Sequence, residues 1–267
     1  MLGLQLDPTR SGESAFAGVT LVGGGPGAPE LITVAGLKAL MAADVVVVDH
    51  LAPGSLLDEL DPHVEVIDVA KHPRGRSTPQ DAINALLIDH ARAGKHVVRL
   101  KGGDVYVFGR GFEELTACQQ AGIPVRVVPG LSSSIAVPAI AGIPVTHRGL
   151  VQGFTVVSGH LPPEHPDSLI DWPTLARLPG TLVLLMAVAN GGRIAEELIA
   201  GGRNADTPAA IICDGTLPTQ RTITTTLGTL GAALTSNAVH PPAVIVIGEV
   251  VGLRPVPNQP DPASESR

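Results

Sequence analysis

The chain is poor in aromatic residues: one Trp, one Tyr and four Phe in 267 residues. Its core must therefore be built from Val, Leu, Ile and Ala, a composition that suits buried parallel strands covered by helices. Cysteine is scarcer still. Cys118 and Cys213 stand alone and far apart, which excludes a disulfide framework and a paired-cysteine metal site and leads us to expect a reducing, cytoplasmic setting. No metal site is expected. Nor does any apolar run approach the ~20 residues of a membrane-spanning helix; the longest, such as Val45–Val48, have the length of a strand. Residues 1–17 lack a basic start and a continuous apolar stretch, so no signal peptide is expected. Charged residues are only 16%, and the net charge of −7 argues against nucleic acid as a generic partner.

Against these absences stands an apolar content of 44%, enough for a sizeable core and too much for wholesale disorder. The charge is uneven. Lys71 to Arg148 holds ten basic and five acidic residues, a local +5 that leaves −12 for the rest of the chain. Spacing alone fits either a local anionic ligand or scattered surface charge.

Short β-branched runs alternate with helical patterns in the first half. Strands are expected at Val19–Val22, Val45–Val48, Val64–Val69, Val97–Leu100 and Val125–Val128. Leu31, Val34, Leu37 and Met41 recur at helical spacing within Glu30–Ala42. Thr78-Pro79-Gln80-Asp81 reads as a helix start with Thr78 as N-cap, and Gly94 as its end. Such alternation predicts a parallel sheet of βαβ units. In the second half, strands are expected at Phe154–Ser158, Thr181–Ala187, Ala209–Cys213, Arg221–Thr226 and Ala243–Val250, with a helix at Ile194–Ala200. Seven residues separate Cys213 from Arg221, too few for a helical crossover, so an antiparallel pair and a mixed sheet follow. We expect two α/β domains, 18–135 and 136–253, with tails at 1–17 and 254–267.

Several strand ends carry chemistry-bearing residues, each with an ordinary reading beside it. Gly23-Gly24-Gly25-Pro26-Gly27 follows the first strand but has neither the G-x-G-x-x-G register nor a Gly-Lys-Ser/Thr. Pro26 also removes an amide donor, so a tight turn suffices. Asp49, at the tip of Val45–Val48, is a helix cap or a base facing a crevice; spacing alone favours the cap. Lys71, Arg74 and Arg76 form a basic loop. Lys101-Gly102-Gly103-Asp104 places a cation, two bare backbone positions and a carboxylate at one tip, where ligands bind in open parallel sheets. Ser132 and Ser133 read as ordinary helix caps. His160 and His165 lack a third ligand cluster and read as loop histidines. No G-x-S-x-G nucleophile signature occurs.

Lys101 to Glu114 closely resembles the Lys-Gly-Gly-Asp-Pro-Phe-Ile-Phe-Gly-Arg-Gly-Gly-Glu-Glu segment of uroporphyrinogen-III C-methyltransferases, in the tetrapyrrole methylase superfamily. Gly142 to Arg148 resembles their Gly-Ile-Pro-Leu-Thr-His-Arg. Further blocks follow in order from Val19 to about Leu253: Val22–Glu30, Asp49-His50-Leu51, Lys71 to Gln80, Pro129–Ser134, Leu185-Met186-Ala187, Asp214-Gly215-Thr216 and Pro242–Val250. Departures are Val105 for Pro, Phe112 for Gly, His50 for Arg and Arg76 for His.

This resemblance implies a homodimer of two-domain chains with S-adenosyl-L-methionine in the cleft between the domains, leaving as S-adenosyl-L-homocysteine. The implied activity is two successive C-methylations of uroporphyrinogen III, through precorrin-1 to precorrin-2, feeding sirohaem or cobalamin. Asp49 is implied as proton acceptor and Lys71 as proton donor. Pro26, Gly102, Gly103, Asp104, Val107, Ser132, Ser133, Met186, Gly215 and Ala243 are implied cofactor contacts. For a substrate with eight carboxylates, Arg74, Arg76, Arg110 and Arg148, with Arg126, are plausible partners. Another precorrin methyltransferase, or a non-catalytic tetrapyrrole- or nucleotide-binding module, is the alternative. No second glycine-fingerprint domain is seen, so a fused multifunctional enzyme is not expected.

Overall fold

A computed structural model describes residues 16–69 and 78–254. The chain forms two compact units, dividing after Ser132.

The first unit is a five-stranded sheet: β1 (Gly18–Gly23), β2 (Val45–Val48), β3 (Glu65–Asp68), β4 (His96–Lys101) and β5 (Val125–Val128), in the order β3-β2-β4-β1-β5. Every pairing is parallel. All five strands fall where the β-branched runs predict them. β1 and β2 are buried along their whole length, which is why apolar residues are not confined to alternate positions: β2 is four valines, and β1 has Thr20 as its one polar side chain. Successive side chains serve opposite faces. Val45, Val47 and Val97 pack with helices α2 (Gln80–Arg92) and α3 (Gly111–Gln120). Val46, Val48, Val98 and Leu100 pack with α1 (Val34–Met41).

Adjacent strands β1 and β4 thus send their connections to opposite faces: α1 follows β1, and α3 follows β4. That divergence opens a crevice beyond their carboxyl ends, where open α/β sheets bind ligands.

Helix starts differ from the sequence expectation in two places. The pattern over Glu30–Ala42 is split into a 3-10 turn, Pro29–Leu31, and α1, because Thr33 is extended and its hydroxyl caps the amide of Gly36 at 3.0 Å. Pro79, not Thr78, is the cap residue of α2: its ψ of 145° is extended, so helical geometry begins at Gln80. Gly94 ends that helix as expected, with φ +82° just past the cap.

The second unit is a mixed sheet: β6 (Phe154–Ser158), β7 (Thr181–Leu185), β8 (Pro208–Cys213), β9 (Arg221–Thr226) and β10 (Ala243–Ile247), in the order β6-β7-β10-β8-β9. β6 and β7 are parallel and the other pairs antiparallel. The expected β8–β9 pair forms, with Cys213 opposite Arg221. One face is covered by α5 (Trp172–Arg177), α6 (Gly191–Ala200) and α7 (Leu230–Ser236), the other by α4 (Ser133–Ile140) and the turn Glu249–Leu253. β7 and β10 stop short of the expected Ala187 and Val250, since Met186 and Gly248 turn the backbone at φ +56° and +153°.

The carbonyls at the end of α5 are closed by Arg203. Its guanidinium donates to the carbonyls of Leu178 (2.7 Å), Ala176 (3.3 Å), Leu175 (3.4 Å) and Gly180 (3.4 Å). Helix C-termini leave such groups unpaired, and a cation is favoured there.

Candidate active site

At the crevice of the first unit, three loops touch through bare backbone. The amide of Gly24 donates to the carbonyl of Lys101 (2.7 Å), and Gly25 and Gly103 exchange amide-to-carbonyl bonds at 3.2 and 2.6 Å. A Cβ on Gly130 would fall 2.3 Å from the Gly103 oxygen, and one on Gly23 would fall 2.5 Å from the Gly130 nitrogen. No side chain fits these contacts, which explains the glycines after β1, β4 and β5.

Asp104 locks the arrangement. Its Oδ1 accepts from the amides of Tyr106 (2.9 Å) and Val107 (3.2 Å), and its Oδ2 accepts from Gly130 (3.2 Å). The carboxylate therefore braces one loop against the next. Beyond it, Tyr106, Val107, Phe108 and Phe112 are substantially exposed, so three of the chain's six aromatics stand at one strand tip. Phe108 and Arg110 hold left-handed backbone, φ +55° and +57°. An exposed apolar ledge beside close-packed backbone suits a partly flat, partly polar ligand.

Asp49 is not a helix cap. The next turn, Gly54–Glu59, is preceded by Pro53 as its cap residue, and the Asp49 carboxylate is held by cations. Arg99 Nη2 donates to its Oδ1 (2.5 Å), and Lys101 Nζ lies 3.5 Å from its Oδ2. Both cations also meet Glu114 Oε1, at 3.0 Å from Arg99 Nε and 3.1 Å from Lys101 Nζ. Gln80 Nε2 donates to the same oxygen (3.2 Å), and Arg99 Nη1 donates to the carbonyl of Val47 (3.2 Å). The Arg99, Lys101 and Glu114 side chains are 2%, 4% and 0% exposed; that of Asp49 is 32% exposed. Spacing could not show this group, whose members lie up to 65 residues apart in sequence. Its one sequence signal is a charge inside the apolar run Val97-Val98-Arg99-Leu100.

Elsewhere the expected residues fall as follows. Lys71, Arg74 and Arg76 lie outside the described residues. Arg110 is exposed and binds Glu113 through two bonds, Nε–Oε1 at 2.9 Å and Nη2–Oε2 at 2.8 Å. This pairing holds the guanidinium above its ordinary pKa and the carboxyl below its own. Arg126 lies 3.9 Å over the ring of Phe16. Phe16 precedes β1, so this guanidinium sits toward the amino ends of the strands, away from the glycine loops. Arg148 is exposed in the turn closed by His147 and Val151. Pro26 stands one residue beyond Gly25, and Ser132 and Ser133 lead from Gly130 into α4.

In the second unit, the antiparallel register gathers residues of three strand ends at one end of the sheet. Met186 follows β7, Asp214-Gly215 follows β8, and Ala243 opens β10 opposite Cys213. Met186 is 48% exposed despite its left-handed backbone. Gly215 packs so tightly on Val137 that a Cβ would come within 2.4 Å.

Among the described residues, no three His, Cys, Asp or Glu side chains gather as a metal site, and no helix is long and apolar enough to cross a membrane. Burial and the neighbouring Glu114 push the Cys118 thiol up to about 11, which makes it a poor nucleophile. A cavity of about 640 Å³ opens at the amino ends of the first sheet, beside Asp44, Asp61, His63, Glu65 and Lys95. Asp61 and Glu65 already pair with His63 (2.7 Å) and Lys95 (2.9 Å), and the glycine loops lie at the opposite end.

A family model for tetrapyrrole (corrin/porphyrin) methylases matches residues 18–231. The chain is 46% identical over 237 residues to the uroporphyrinogen-III C-methyltransferase of Methanocaldococcus jannaschii, covering 88% of this chain and 97% of that one. It is 47% identical over 249 residues to a sirohaem synthase of Neisseria meningitidis, covering 93% of this chain and 50% of the relative, so it spans about half the length of that protein. A Thermus thermophilus uroporphyrin-III C-methyltransferase solved with S-adenosyl homocysteine superposes with a TM-score of 0.75 at 40% identity, over 88% of this chain and 99% of that one. The parallel sheet with its glycine-lined crevice, the mixed sheet after it and these matches agree: the chain belongs to the tetrapyrrole methylase family.

Proposed function

We propose that this protein methylates carbon atoms of uroporphyrinogen III with S-adenosyl-L-methionine, twice in succession, giving precorrin-2. The observation that carries the reading is Asp49: a carboxylate fixed by two buried cations, yet open to solvent, beside the glycine loops of β1, β4 and β5. The relatives' activities support it.

The residues present fit the cofactor. Pro26, Gly102, Gly103, Asp104 and Val107 offer backbone and an apolar edge, Ser132 and Ser133 offer hydroxyls, and Met186, Gly215 and Ala243 form a second set. When bound, S-adenosyl-L-methionine supplies a methyl group on a sulfonium whose sulfur leaves neutral, with S-adenosyl-L-homocysteine as product. The protein's share is then alignment, for which orientation contributes up to ~7–11 kcal/mol. When a substituted pyrrole carbon forms its bond to the methyl group, the ring is left with one positive charge, which the macrocycle discharges by losing a proton from another position; Asp49 accepts that proton. Lys71 donates a proton or anchors a carboxylate. Arg74, Arg76, Arg110 and Arg148 bind substrate carboxylates, and Arg110 exchanges Glu113 for one of them. We further propose that the chain is a cytoplasmic homodimer.

Anaerobic incubation with uroporphyrinogen III and S-adenosyl-L-methionine, read by product mass, tests this. A gain of two methyl groups is expected. No transfer with the cofactor still bound would overturn the activity.

A further inference from the structure

We infer that Arg99, clamped by Glu114, is a positioning residue for methyl transfer that acts through Asp49; this rests on Asp49 being the proton acceptor.

Burying an ion pair in a sheet is seldom worth more than packing apolar side chains of the same volume. Yet Arg99 takes a core position of β4, on the same face as Val97, where a Leu or Ile would continue the sheet's own pattern. Glu114 is wholly buried beneath it on α3. Of the four charged groups, only Asp49 reaches solvent. The group is neutral in sum, two cations and two carboxylates, and its geometry converges on that exposed member.

Each bond has a share in this. Arg99 spans the gap: Nε is held by Glu114, Nη1 by the carbonyl of Val47, and Nη2 is left aimed at Asp49 Oδ1. With three donors engaged, the guanidinium plane cannot turn, so neither can the carboxylate it grips. Lys101 addresses the other oxygen, Oδ2. Glu114 shares both cations, so Asp49 does not face two uncompensated positive charges. Gln80 and Asn84 tie Glu114 to α2, with Gln80 donating to both at 3.2 and 3.1 Å. Asp49 is thereby set on two helices and a strand rather than on its own loop.

The test is a double-mutant cycle on the full chain: Arg99→Lys, Asp49→Asn and the pair. Single-turnover kcat, KM for uroporphyrinogen III and affinity for S-adenosyl-L-homocysteine are the readouts. Lysine keeps the charge but cannot reach both carboxylates. Arg99→Lys is expected to lower kcat about 10- to 100-fold, with KM and cofactor affinity within about twofold. In the Asp49→Asn background it should change kcat less than about twofold, since residues acting as one unit are not additive. If Arg99→Lys does not fold, Glu114→Gln, which keeps the shape and removes the clamp, is carried through the same cycle. A loss confined to KM or cofactor affinity, or the full loss repeated without Asp49, would overturn the inference. Inactive Asp49→Asn beside fully active Arg99→Lys would overturn it alone. Fully active Asp49→Asn would overturn the proton-acceptor reading itself.

Discussion

The two units solve the same packing problem with opposite interiors. The first sheet buries Arg99 and Lys101 on its strands and Glu114 on the helix above them. The second buries only Ser134, Thr181 and Thr207 as polar groups, and no charge, among the described residues. Its nearest counterpart, Arg203, lies part-buried and binds four carbonyls instead of a carboxylate. Apolar packing is therefore sufficient for a five-stranded α/β unit of this size. The charges in the first sheet are an extra, and of that group only the Asp49 carboxylate reaches solvent.

That contrast can be broken on each side. Glu114→Ala would leave Arg99 and Lys101 under-compensated in the interior and should cost about 3–5 kcal/mol, measured by denaturant unfolding, with a loss of turnover beside it. Ile245→Ala, in the fully buried centre of β10, should cost a similar 2–5 kcal/mol. In that variant, methyl transfer per folded molecule should stay near wild type. Equal losses of turnover in the two variants would erase the distinction. Arg203→Met keeps the side-chain stem and removes only the four hydrogen bonds; a loss of about 1–3 kcal/mol is expected, again without effect on kcat.

The smallest effect comes from the two thiols, one in each unit. Burial raises both Cys118 and Cys213. At pH 8 the folded Cys118 thiolate is about one part in a thousand, given its value of about 11. Alkylation should then report opening of each unit separately, and the slower thiol marks the more stable one. The sign for stability follows from the raised value. Above about pH 8.5 the unfolded thiol ionises while the folded one does not, so stability should fall as pH rises toward about 11. Cys118→Ala should flatten that slope.

Much of this was legible in the chain. Four consecutive valines at Val45–Val48 can hardly be anything but a buried strand; the strand-tip glycines read as room for a ligand or a tight turn, and that the loops after β1, β4 and β5 touch one another there is visible only in the fold. Local spacing failed where partners are distant. Asp49 read as a cap because Arg99 lies 50 residues on, and nothing short-range shows that a strand will bring them together. Asp104 reads by position as a ligand contact; that its carboxylate also accepts from the amides of Tyr106, Val107 and Gly130 depends on loops that only the fold brings together. The helix start at Pro79 was missed by one residue, because Pro fixes φ but leaves ψ free.

Whether Asp49 is the proton acceptor is decided by single-turnover methyl transfer by Asp49→Asn, at saturating cofactor and beside wild type. A rate about 10²- to 10⁴-fold lower is expected, with affinity for S-adenosyl-L-homocysteine unchanged. A rate near wild type, or a loss explained by failure to bind the cofactor, would contradict that role.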